Sequence, residues 1–153
     1  MTHRELLNCA LEARENAYAP YSGYRVGAAL LCKNGKVYTG VNLENGSYSA
    51  TLCAERAAFG AVLSAGEREF SAIAIVGGKE ETVDACTPPC GVCRQVMSEF
   101  CSADFEVVLG DTVTTLGQLL PMAFQLEDQV WEPLISLKRK RGGRSLPHRN
   151  WIF

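Results

Sequence analysis

Leu6, Leu7, Ala10, Leu11 and Arg14 recur at helical spacing and predict a helix over residues 3–17, with Thr2 placed as its N-cap and Pro20 beyond its end. The pattern then changes period. Val26 to Cys32 is a short apolar run, Lys33-Asn34-Gly35-Lys36 reads as a tight turn, and Val37 to Val41 resumes a strand. Asn-Gly suits the positive φ values of such a turn. Thr51 to Ala65 is rich in alanine and carries Leu52, Phe59 and Leu63, which predicts a largely buried helix closed by Gly66. Ala72 to Val76 reads as a buried strand ending at Gly77-Gly78. Cys90 to Phe100 predicts another helix, entered through Pro88 and Pro89. Phe105 to Leu109 is a strand, Val113 to Thr115 a shorter one, and Leu116 to Leu120 a single helical turn before Pro121. There is no internal repeat. The order helix, hairpin, helix, strand, helix, strand predicts an α/β fold: a mixed sheet with helices packed on its faces.

The chain has 153 residues, 47% apolar and 21% charged, which fits one globular domain with a full core. No run of about 18 apolar residues suggests a membrane span. The opening Met1-Thr2-His3-Arg4-Glu5 lacks the layout of a signal peptide, so a cytoplasmic location is expected. The net charge of −2 is unevenly spread. Residues 125–153 hold six Lys/Arg against three acids, a net +3, which leaves −5 on residues 1–124. An acidic body argues against a nucleic-acid surface, since phosphate contact relies on clustered positive charge, and favours a small uncharged substrate.

Seven cysteines in a reducing compartment are expected to be free or metal-bound. Cys90 and Cys93 have the C-x-x-C spacing that grips one tetrahedral zinc, and Cys53 supplies a third sulfur from a separate segment. Three protein ligands leave a fourth position open, as in catalytic sites. A lone C-x-x-C is also compatible with a redox pair, or with half of a four-cysteine structural site in which Cys86 is the best rival ligand. Glu55 weighs against the four-cysteine site: it lies two residues from Cys53 on a helix that otherwise buries small apolar side chains, where an unpartnered carboxylate is costly. It is placed to carry protons for a zinc-activated water. Both cysteine segments fall at predicted helix N-termini, where amide dipoles favour thiolates. Cys9, Cys32 and Cys101 read as small core residues.

With these residues in view, the chain resembles the small homotetrameric zinc-dependent cytidine deaminases, from about Leu6 to Phe124. The resemblance is carried by Tyr21-Ser22-Gly23-Tyr24-Arg25-Val26-Gly27-Ala28, Gly40-Val41-Asn42-Leu43-Glu44-Asn45, Cys53-Ala54-Glu55-Arg56-Ala57-Ala58, Pro89-Cys90-Gly91-Val92-Cys93-Arg94-Gln95 and Leu119-Leu120-Pro121-Met122-Ala123-Phe124. It implies a three-layer α/β/α fold around a mixed, mostly five-stranded sheet, a deaminase domain over 1–124, and one Zn²⁺ per subunit on Cys53, Cys90 and Cys93. Glu55 would shuttle the proton between water, N3 of the base and the departing ammonia while water attacks C4. Asn42 and Glu44 would hold the ribose 3′-hydroxyl, the Ala54 amide the pyrimidine O2, and Arg56 the ligand sulfurs. Phe124 would stack on the base in a neighbouring subunit's pocket. Three thiolates overcompensate Zn²⁺, so a cation such as Arg56 drawing density from them would restore acidity to the metal.

The implied reaction is hydrolysis of cytidine and 2′-deoxycytidine to the uridines in pyrimidine salvage. A modified-nucleoside deaminase, a nucleic-acid editing deaminase and a non-catalytic zinc protein are the alternatives. Two departures stand out. Tyr24 occupies a base-facing position that is usually Phe, and residues 125–153 extend beyond the family pattern with Trp131, Leu134, Ile135, Leu137 and a basic Lys138-Arg139-Lys140-Arg141 run. That extension reads as a solvated basic tail of unknown role.

Overall fold

The structure is a computed structural model that describes residues 1–79 and 81–125. It divides into two compact units, Met1–Ala123 and Phe124–Phe153. The expected packing of Trp131, Leu134, Ile135 and Leu137 and the basic run 138–141 lie outside the described residues.

The first helix, α1 (His3–Arg14), opens with a reciprocal cap: the Glu5 amide donates to Thr2 Oγ1 at 3.2 Å and the Thr2 amide to the Glu5 carboxylate at 2.7 Å. It ends three residues earlier than the periodicity predicts. The chain turns away there because Tyr18 pairs instead with the segment after the hairpin, its amide donating to Asn42 O and its carbonyl accepting from the Glu44 amide. Strands β1 (Tyr24–Cys32) and β2 (Val37–Val41) form the predicted hairpin, with Gly35 at φ 88° in the turn. Helix α2 (Ala54–Ser64) starts later than Thr51, because Leu52 is extended and bridges to Leu43. It closes at Gly66, whose φ is 87°.

Strand β3 (Phe70–Lys79) does not stop at Gly77-Gly78 as expected. The two glycines pair with Val26 and Arg25 of β1, and the strand ends beyond them. Their role is to leave room for the returning chain: a Cβ on Gly78 would lie 2.1 Å from Thr82 O, and one on Gly77 2.7 Å from Thr87 Cγ2. After α3 (Gly91–Phe100) come β4 (Glu106–Leu109), β5 (Thr112–Thr115) and the one-turn α4 (Leu116–Leu119).

The five strands form one mixed sheet in the order β2-β1-β3-β4-β5, with only β3 and β4 parallel. That parallel step is the one that needs a crossover, and α3 supplies it. Leu6 and Ala10 of α1 pack on Ala29, Ala72, Ala74, Val76 and Val108 on one face. Phe59 and Val62 of α2 and Met97 of α3 pack on Leu30, Ile73, Ile75 and Val107 on the other. Helices on both faces of a sheet make the expected three layers.

Gly40 decides how close α2 sits to the sheet. A Cβ there would fall 2.3 Å from Ala58 N and 2.4 Å from Ala54 O, both backbone atoms that cannot swing aside. Gly40→Ala is expected to destabilise the fold by about 1–3 kcal/mol in urea unfolding, because α2 must back away. An unchanged midpoint would show that the approach is not tight.

Candidate active site

Both cysteine segments sit where strands or loops hand over to helices. Cys53 is the N-cap of α2, Cys90 the N-cap of α3, and Cys93 lies in the first turn of α3. Neither N-cap sulfur accepts a hydrogen bond from its helix, but the positive end of each helix dipole lies at these positions and favours thiolates. Cys53 Sγ is 3.8 Å from Cys90 Sγ, Cys90 Sγ is 3.5 Å from Cys93 Sγ, and all three lie within 4.8 Å of one another. Zinc–sulfur bonds of about 2.3 Å place the sulfurs of a tetrahedron about 3.8 Å apart, so the donor set and its spacing fit zinc with one corner free. Among the described residues this is the one such group of His, Cys, Asp or Glu. Cys86, the rival ligand, is exposed and stands outside it.

The remaining cysteines follow the packing reading. Cys32 is buried, and half-buried Cys9 and Cys101 pack against the two core clusters. Burial pushes the Cys101 thiol up to about 12.

Arg56 supplies the local cation. Its Nη2 donates to Thr51 O at 2.9 Å and reaches Cys53 Sγ at 3.8 Å. The Cys53 thiol is pulled down to about 5, chiefly by hydrogen bonding with Cys93, with Arg56 adding to the effect against the cost of burial. Cys93 moves the opposite way, because its proton is shared with that thiolate. Arg94 braces the other cysteine segment, donating from Nε to Pro89 O and from Nη1 to Leu119 O, each at 2.8 Å.

Glu55 is 5% exposed at the start of α2. Burial raises its carboxyl above the usual range, and the neighbouring Cys53 charge adds to this. It lines a cavity of about 220 Å³ together with Cys53, Ala54 and Cys90, and with Tyr24, Asn42 and Glu44.

Asn42 and Glu44 reach that cavity already engaged. The Asn42 side chain accepts from Val26 N at 2.8 Å and donates to Tyr24 O at 2.9 Å, sealing the start of β1. The Glu44 carboxylate accepts from the Tyr21 and Ser22 amides at 2.8 and 3.2 Å and from the Ser22 hydroxyl at 2.5 Å. The Ser22 hydroxyl bond, with the two amides, holds its pKa below the usual carboxylate value. A carboxylate offers about four lone-pair sites, so one remains, on Oε1. Phe124 falls in the second unit and is exposed.

A family model described as the cytidine and deoxycytidylate deaminase zinc-binding region matches residues 1–109. The chain belongs to this family. It is thus an enzyme of the deaminase class, a hydrolase. A cytidine deaminase of Halalkalibacterium halodurans is 48% identical over 133 residues, covering 84% of this chain and 98% of the relative. One from Sporosarcina psychrophila is 47% identical over 133 residues, covering 84% and 95%. The crystal structure of cytidine deaminase from Burkholderia pseudomallei superposes with a TM-score of 0.75 at 51% identity, over 81% of this chain and all of that one.

Sequence reasoning missed three residues around this cavity. Thr87 lines it, Asp84 bonds Tyr24 behind its wall, and Arg14 holds the loop that carries both. Only Arg14 left a trace: it completes the apolar stripe of α1, where a cation is out of place.

Proposed function

We propose that this chain hydrolyses cytidine and 2′-deoxycytidine to uridine and 2′-deoxyuridine, with release of ammonia, as a zinc-dependent enzyme of cytoplasmic pyrimidine salvage. The observation that carries the reading is a buried carboxyl, Glu55, beside a three-sulfur metal cluster in one small cavity. Zinc held by Cys53, Cys90 and Cys93 would supply Lewis acidity at one open position, and with it a water more acidic than bulk.

The protein's own groups do the rest. Glu55 takes a proton from the attacking water and gives it to N3 of the base, which makes C4 electrophilic. It then relays a proton to the departing amine, so one water enters and one ammonia leaves. Its raised pKa suits a group that must hold a proton as well as release one. The Ala54 amide, in the first turn of α2, has no acceptor within the helix and is placed to donate to O2 of the ring. Asn42 retains one amide proton and Glu44 one lone pair, a donor and an acceptor for a ribose hydroxyl. Arg56 draws electron density from Cys53 and tempers the charge of three thiolates.

A cavity of about 220 Å³ is small even against the ~300–1,000 Å³ usual for ligand sites, and suits a nucleoside better than a nucleic-acid strand. Among the described residues no Lys or Arg lines it. The decisive experiment offers cytidine, 2′-deoxycytidine, cytidine monophosphate and a cytosine-containing single strand separately and follows uracil products. Turnover of the two nucleosides alone is expected; turnover of the strand but not of cytidine would overturn the proposal.

The enzyme is read as a homo-oligomer, a tetramer with shared sites. Exposed Tyr18, Tyr21, Leu43 and Tyr48 support it as large apolar side chains that an assembled oligomer would cover. Phe124 would complete a neighbour's pocket. Phe124→Ala is then expected to raise KM for cytidine about tenfold, as the loss of one ring-on-ring contact would. A wild-type chain that is monomeric at assay concentration and fully active would contradict this.

A further inference from the structure

Tyr24 is the first residue of β1, and its half-buried ring is part of the cavity wall. Its backbone is fixed at both ends, the amide donating to Ser22 Oγ and the carbonyl accepting from Asn42 Nδ2, each at 2.9 Å. The phenol hydroxyl donates to Asp84 Oδ2 at 2.5 Å, with Thr87 Oγ1 a distant second neighbour at 3.4 Å. Asp84 is exposed and does not line the cavity. The hydroxyl is thus drawn outward, while the ring stays inside.

Asp84 is held for this task by a chain of contacts that starts on the opposite face of the sheet. Its amide donates to Gly77 O at 2.8 Å, doubling the loop back on the end of β3. Arg14, only 2% exposed, donates from Nη2 to Gly78 O at 3.1 Å and to Thr82 O at 2.6 Å, and from Nε to Arg25 O at 3.3 Å. One buried guanidinium therefore fixes β1, β3 and the loop that presents Asp84. Gly77 and Gly78 have no side chains because this loop occupies the space. The same loop runs on to Thr87 and Cys90, so the wall and the metal segment share one anchored stretch.

We propose that Asp84 is a positioning residue for substrate: by accepting the Tyr24 O–H it removes that polar group from the cavity and presents the nucleoside with an apolar aromatic wall. The proposal rests on the nucleoside reading of the site. A phenol whose O–H has lost Asp84 turns to water or to Thr87, and neither holds it as a carboxylate carried on an anchored loop does. The ring is then free to shift in the cavity wall. Without the hydroxyl, Asp84 has nothing to hold, and being exposed it is satisfied by water. Burial, with Asp84 as acceptor, raises the Tyr24 pKa, so the phenol remains a donor at neutral pH.

The test is a double-mutant cycle on the full, zinc-loaded chain, with KM and kcat for cytidine as the readouts. Asp84→Ala is expected to raise KM about fivefold with kcat within about twofold, the signature of lost ground-state binding. Tyr24→Phe supplies the reference background of the cycle. Once the hydroxyl is gone, Asp84→Ala is expected to add no further rise in KM, so the double variant matches Tyr24→Phe, while Asp84→Asn, which keeps an acceptor oxygen, falls between the wild type and Asp84→Ala. A general loss of loop structure would raise KM in either background. An unchanged KM in Asp84→Ala, or a further rise when Asp84→Ala is added to Tyr24→Phe, overturns the proposal. Absence of cytidine turnover in the wild type in the same assay overturns the nucleoside reading and this inference together.

Discussion

Glu55→Ala is expected to lower kcat for cytidine by about 10³–10⁴-fold while the zinc content of the chain stays that of the wild type. The magnitude is the upper range for a positioned proton carrier, and Glu55 is read as serving several proton transfers in one cycle. The expectation follows from its placement. Glu55 lies on α2 two residues past Cys53, is almost fully buried, and faces the same cavity as two of the sulfurs without belonging to the metal cluster. Among the described residues Glu55 forms no salt bridge, and burying such a carboxyl is a cost to the fold that a catalytic task explains. Glu55→Gln keeps the volume and is expected to be equally inactive, which separates lost proton transfer from a new void. Metal analysis beside the rate measurement decides the role: a variant that loses activity together with zinc would make Glu55 a support for the metal.

Cys93→Ala should do the reverse and remove the metal first. Cys93 is 1% exposed in the first turn of α3, where it joins the sulfur cluster and packs on the core. Outer-sphere partners of metal ligands typically contribute 10–100-fold in affinity, and loss of a direct ligand is expected to exceed that. Zinc should fall below detection after desalting, activity should vanish with it, and the thermal midpoint should drop, because bound metal no longer stabilises the native state. Cys86→Ala is the matched control. Its sulfur is exposed and outside the cluster, so zinc and activity are expected to be retained. Loss of zinc in that control would reinstate the four-cysteine structural site.

The three-sulfur cluster was legible because its information is local. C-x-x-C fixes two sulfurs on one helical turn, and Cys53-Ala54-Glu55 fixes a third sulfur and an acid at the head of another. Only the pairing of the two segments had to come from the fold. The hairpin was legible for the same reason, since Asn34-Gly35 specifies its own turn. What escaped depends on distant parts of the chain. Gly77-Gly78 looks like punctuation, yet the glycines are there for a loop that returns only after they are passed. Asn42 and Glu44 were visible as polar residues after β2, but not their commitments to β1 and to the Tyr21-Ser22 turn. Asp84 gives no signal in a polar loop, because its importance lies in a tyrosine sixty residues earlier.

The measurement that bears most directly on the account is zinc titration of the metal-stripped chain, with cytidine hydrolysis followed at each step. The account predicts that no uridine forms at the outset, and that turnover rises in proportion to added zinc and levels off at one zinc per chain. Full turnover by the stripped chain, or none once Cys53, Cys90 and Cys93 are loaded, would contradict it.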